Sequence, residues 1–173
     1  VARAVDKGTI GPILVGQARS VRASSPGKEP STMGSTRAAR RTWDESFSVG
    51  VEELDGQHRD LFRILGRLGE AVEEGGAAEV AVERLEDLAK ECACHFATEE
   101  GYLERLGFPG AVQQRVQHRL FAARLARLRD RARSGQEALS EPVLDELTSW
   151  LLGHIVGLDR EYAEFFRARG LRP

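Results

Sequence analysis

The sequence predicts an all-α protein, an up-down-up-down antiparallel four-helix bundle, from three observations. From Leu54 onward apolar residues recur at helical spacing. That periodicity breaks at Gly75-Gly76, at Gly107 and near Ser134-Gly135, which leaves four long segments. Alternation of apolar and polar residues with β-branched enrichment, the mark of a strand, never persists beyond a few positions. Segments of roughly 20 to 30 residues make helices about 30 to 45 Å long. Breaks this short force successive helices to run antiparallel as neighbours.

The first helix is expected from Leu54 to Glu74, with His58, Leu61, Phe62, Leu65, Leu68 and Val72 on one stripe. The second runs from Ala78 to Leu106 and turns Val82, Leu85, Leu88, Ala89, Cys92, His95, Phe96, Glu99 and Leu103 inward. It stops at Gly107, and Pro109 opens the next turn. The third spans Gly110 to Arg133 and buries Val112 or Val116, then His118, Phe121, Leu125 and Leu128. The fourth follows Ser140, an N-cap with Pro142 in the first turn, and carries Val143, Leu147, Trp150, Leu151, His154, Leu158 and Tyr162 to Ala168.

With 173 residues, 41% hydrophobic and 30% charged, the chain suits one globular domain with extra length. Charge divides it: residues 1–41 net +6 and residues 42–173 net -8. The first segment, rich in Gly, Pro and Ser, reads as a disordered basic arm ahead of a bundle domain at 42–170. Its short apolar run from Ile10 to Val15 is interrupted by Gly11 and Pro12 and makes a poor export signal. The sole methionine, Met33, offers an alternative translation start. Cys92 and Cys94 stand too close in a helix to bridge each other, so Cys92 is expected in the core and the compartment to be the cytoplasm. No run of apolar residues is long enough to span a membrane. The arginines of the third helix, in a domain of net negative charge, read as a solvated face rather than a nucleic-acid site. Gly-rich phosphate loops and Ser-His-Asp constellations are lacking.

The chemistry lies in the histidines. There are four, His58, His95, His118 and His154, and each helix carries one on or beside its apolar stripe. One inward histidine is ordinary core chemistry, whereas imidazoles facing one another from every helix need a shared partner. Glu99 lies four residues after His95 on the same face, and Asp159 five after His154. A buried acid is costly unless it is paired or bound to metal. The five-residue spacing diverges by about 140° in an ideal helix, so the fourth helix must widen locally. Gly153 and Gly157, which flank His154 and each cost roughly 1 kcal/mol against Ala, permit that widening or let another helix approach closely. Histidine and carboxylate donors together suit iron, manganese or zinc. Their number exceeds one closed tetrahedral site and suits a metal pair with bridging carboxylates.

Trp43, Val49-Gly50-Val51, Asp55-Gly56-Gln57-His58, His95-Phe96-Ala97-Thr98-Glu99-Glu100, Gly107-Phe108-Pro109, His118, Trp150-Leu151-Leu152-Gly153-His154-Ile155, Asp159 and Tyr162 occur in one order over Trp43 to Phe166. In these the chain closely resembles the bacterial hemerythrin family. The resemblance implies two iron ions, oxo- or hydroxo-bridged, that bind dioxygen reversibly. His58 and His95 would hold the iron with an open position, His118 and His154 its partner, and Glu99 and Asp159 would bridge. The family has a second histidine four residues before the one at 118, and here that position is Gln114. The second iron would then have two imidazoles unless a water or the amide oxygen of Gln114, a doubtful ligand, completes its shell; weaker retention there and faster autoxidation are expected, unless Gln114 is simply a tolerated polar substitute and the centre works normally.

Three readings follow. The leading one is a monomeric, non-catalytic protein that transports, stores or senses dioxygen, compatible with a redox or oxygen-consuming partner. The alternative is a di-iron enzyme with peroxidase, oxidase or nitric oxide chemistry at the position opened by Gln114. A metal-free bundle serving as an interaction module is a third.

Overall fold

A computed structural model describes residues 42–75 and 78–171. The basic segment 1–41, with its Met33 start and its apolar run, lies outside the described residues. The helices are α1 (Glu52–Glu73), α2 (Ala78–Arg105), α3 (Ala111–Arg133), α4 (Glu141–His154) and α5 (Arg160–Ala168). A π-helical turn, Ile155–Asp159, joins α4 to α5 in one continuous rod, so the bundle has four members. Among the described residues there is no strand, and no helix is long and apolar enough to cross a membrane. In the bundle α1 packs against α2 and α4, and α2 against α3.

Local chemistry sets the helix ends. Glu52, Glu53 and Asp55 place negative charge in the first turn of α1, where the helix dipole favours it. At the end of α2, Gly107 takes φ 67°, which no other residue adopts cheaply. Its N–H bonds to Glu104 O at 3.2 Å and that of Phe108 to Leu103 O at 2.9 Å, a Schellman close. Ser140 is the N-cap of α4, but its side chain makes no capping hydrogen bond.

Two apolar clusters fill the interior. The larger runs from Leu68, Leu85, Leu128 and Leu144 at one end to Phe62, Phe96, Phe121 and Ile155 near the middle. The smaller joins Val49, Val51, Leu54, Leu103, Tyr162 and Phe166 at the other end. Cys92 is buried and Cys94 exposed, as the helical phase requires.

One part of the predicted core is wrong. Val112 and Val116 are 64% and 39% exposed, while Ala111 and Gln114 go inside. The inward face of α3 is fixed by His118, and residues four and seven positions earlier share it; Val116, two positions earlier, falls about 200° away. Gly153 and Gly157 are exposed, and a Cβ on either would meet nothing within 4 Å, so close approach of another helix does not explain them.

A buried cluster of imidazoles and carboxylates

Between the two apolar clusters lies a polar layer. His58 comes from α1, His95 and Glu99 from α2, Gln114 and His118 from α3, and His154 and Asp159 from either side of the π turn. Each of these seven side chains is at most 5% exposed. The π turn answers the spacing problem: one wider turn brings Asp159 back to the face of His154, with Nε2 and Oδ1 3.3 Å apart.

The rings form two pairs, His58 Nε2 with His95 Nε2 at 3.1 Å and His118 Nε2 with His154 Nε2 at 2.9 Å. Each carboxylate serves both. Glu99 sets Oε2 3.5 Å from His95 and Oε1 3.4 Å from His118. Asp159 sets Oδ2 3.5 Å from His58 and Oδ1 3.3 Å from His154.

These donors fit metal ions. Two ligand atoms each about 2.0–2.2 Å from one ion, at ordinary coordination angles, stand about 3–3.5 Å apart. The donor atoms fall into two groups, His58, His95, Glu99 and Asp159, and Glu99, His118 and His154, each within 4.8 Å of one another. Glu99 Oε1 and Asp159 Oδ2 are buried and accept no hydrogen bond, the state of oxygens that answer to a cation.

Outer partners orient the rings. His95 Nδ1 lies 3.1 Å from Gln57 Oε1, and the Gln57 amide nitrogen donates to Thr98 Oγ1 at 3.1 Å. His118 Nδ1 lies 2.9 Å from Glu100 Oε1. Because these oxygens can only accept, each Nδ1 carries the proton and each Nε2 turns its lone pair inward. Ring faces are held by stacking, Phe96 on His118 at 3.9 Å and Trp150 on His154 at 4.6 Å between centroids. Trp43, from the segment before α1, stacks on His58 at 6.0 Å.

Tyr162 and Gln114 brace the carboxylates. Tyr162, fully buried, donates its O–H to Glu99 Oε2 at 3.3 Å. Gln114 donates Nε2 to Asp159 Oδ1 at 2.9 Å, which leaves its Oε1 buried and unpartnered. A carboxylate oxygen only accepts, so the amide faces it with nitrogen.

Burial sets the protonation states. It drives His95 well below the usual imidazole range, reinforced by repulsion from the other three rings. His154 is pushed down to about 4 by burial, against the opposing pull of Asp159. His118 is lowered by burial although Glu100 opposes the shift. Glu99 is raised well above the carboxylate range by burial and by Asp159 beside it. Neutral imidazoles are ready metal ligands, and a cation would repay the cost of ionising Glu99.

Sequence reading placed Tyr162 in the core without its hydroxyl's task, and gave Glu100 no task. Glu100 is half-buried and bonded to His118. Gln57 and Asp55 were unassigned. Asp55, another buried acid, lies outside the donor groups and accepts from Ser48 Oγ, Val49 N and Gly50 N, tying the entering segment to α1. The solvated face of α3 is laced with ion pairs, among them Arg124 with Glu146 and Arg131 with Glu137.

Fold and site define a four-helix bundle protein whose core could hold metal ions. The profile of the hemerythrin HHE cation binding domain matches residues 49–166, and the chain belongs to the hemerythrin family. It is 30% identical over 126 residues to a bacteriohemerythrin of Stenotrophomonas maltophilia (strain R551-3), covering 73% of this chain and 81% of that one. With a myohemerythrin of Riftia pachyptila it shares 31% over 125 residues, 69% of this chain and 88% of the other. A crystal structure of wild-type hemerythrin superposes with a TM-score of 0.68 at 22% identity, over 71% of this chain and 95% of that chain, a likeness of fold.

Proposed function

We propose that the protein binds dioxygen reversibly at a pair of iron ions held in this buried layer, as a carrier or store rather than as a catalyst. The observation that carries the reading is that each of two buried carboxylates turns one oxygen toward each imidazole pair, in a chain of the hemerythrin family. His58 and His95 would hold one ion, His118 and His154 the other, and Glu99 and Asp159 would bridge them. When bound, a ferrous pair supplies the two electrons that capture of dioxygen takes up.

The protein's part is to hold, orient and keep dry. Tyr162 fixes the lean of Glu99, and Gln114 that of Asp159. The apolar clusters at either end shut bulk water out, which slows side reactions of a reduced centre. Anaerobic iron loading followed by visible spectroscopy tests the reading. A charge-transfer band that appears with oxygen and fades when oxygen is withdrawn is expected; steady oxygen consumption, or no band, would overturn it.

A second reading rests on Gln114. Its unpartnered Oε1 offers an amide, a weaker donor than imidazole, where the family pattern puts a third ring. An exchangeable position there favours peroxidase, oxidase or nitric oxide chemistry. Gln114→His should then abolish steady peroxide consumption while tightening metal retention; an unchanged rate would count against this reading.

A further inference from the structure

The two imidazole pairs are alike in their inward geometry and unlike in what stands behind them. His95 leans on Gln57, a neutral amide, at 3.1 Å. His118 leans on Glu100, a carboxylate, at 2.9 Å. We propose that Glu100 is a positioning residue that makes the His118–His154 position the stronger of the two metal positions, offsetting the imidazole that Gln114 does not supply. The inference rests on the dinuclear reading above and adds to it which residue decides between the two ions.

The argument is electrostatic. A ring whose Nδ1 proton is shared with a carboxylate carries more negative character at Nε2 than one whose proton is shared with an amide, so it is the better donor to a cation. Glu100 is 29% exposed at its side chain, so water weakens its through-space field but not the direct hydrogen bond. Gln57 cannot exchange roles with it: its nitrogen is committed to Thr98 Oγ1, which leaves only the neutral carbonyl oxygen for His95. Glu100 itself lies outside both donor groups, and His118 is the one donor its hydrogen bond reaches; its field on the shared Glu99 is the smallest of the influences on that carboxyl. Phe96, stacked on His118 with an interplanar angle of 7°, keeps the ring in the plane that Glu100 needs. One position therefore combines a charged outer partner with a weak amide neighbour, and the other has a neutral outer partner only.

The test is a Co2+ titration of the metal-free 173-residue chain, read from the visible bands of the bound ion and the shifted Nδ1–H proton resonances. The wild type should take up two ions in separable steps. Glu100→Gln should weaken one step by about 10–100-fold and move one Nδ1–H resonance, leaving the other step unchanged. Gln57→Glu should tighten the opposite step, and the double exchange, Gln57→Glu with Glu100→Gln, should reverse the order of filling. A loss shared equally by both steps, or no loss, would overturn the inference while leaving the dinuclear reading standing. Uptake of fewer than two ions by the wild type would overturn both.

Discussion

The leucine end of the bundle and its polar middle are equally buried and do opposite things. At the leucine end Leu68, Leu85, Leu88, Leu125, Leu128, Leu144 and Leu147 are at most 1% exposed and ask for no partner. Some ten residues along α1 and α2, about 15 Å away, four imidazoles, two carboxylates and an amide are packed as tightly, and every one is costly to desolvate. The first region stabilises the fold; the second draws on that stability to keep a charged site dry. The contrast explains why the polar residues are braced one by one, through Tyr162, Gln114, Gln57 and Glu100, while the leucines need only shape.

Breaking the leucine end should have the largest effect on folding. Leu85→Ala is expected to cost about 2–5 kcal/mol in urea unfolding of the metal-free protein while leaving metal affinity within a few-fold. An equal loss of affinity would mean the two regions are not separable.

Acid should act on the middle alone. In the metal-free protein the folded pKa of His95, His118 and His154 lies below that of the unfolded chain, His154 at about 4. The unfolded chain thus binds more protons below about pH 6.5, so stability is present above that pH and is lost as pH falls toward 4. Glu99, whose folded pKa is raised, has the opposite sign: stability falls as pH rises above the ordinary carboxylate value. With three imidazoles set against one carboxyl, metal-free stability should rise with pH to a maximum near the ordinary imidazole value of about 6.5 and fall above it, and bound metal should flatten its alkaline side. A monotonic profile would contradict the assigned protonation states.

Neutralising one carboxylate sharpens the comparison with a smaller effect. Glu99→Gln keeps an oxygen for the Tyr162 hydroxyl and needs no proton to enter the core, whereas the buried Glu99 carboxyl must be held protonated, so the metal-free protein should gain on the order of 1 kcal/mol at neutral pH and lose metal binding. Destabilisation by this exchange would show that Glu99 is a structural acid like Asp55.

The sequence carried the leucine end almost completely, because apolar spacing at 3.6 residues is a backbone-scale signal. The inward histidines and Glu99 were legible on the same stripes. Even the π turn was foreshadowed, since the five-residue step from His154 to Asp159 does not fit an ideal helix. What escaped notice sits at the edges of stripes. Gln57 precedes His58, Glu100 follows Glu99, and each reaches round the side of its helix to a ring on another. Such contacts depend on helix rotation and rotamer, which periodicity does not encode. Val112 and Val116 misled because hydrophobicity outweighed phase; counting back from His118 would have put Ala111 and Gln114 inside.

The most direct measurement is the number of metal ions bound per chain, by titration of the metal-free protein with ferrous iron under anaerobic conditions and elemental analysis of the product. Two ions per chain, both lost when Glu99 or Asp159 is replaced, is the result that a shared pair of carboxylates predicts. A single ion, or two that survive removal of either carboxylate, would contradict it.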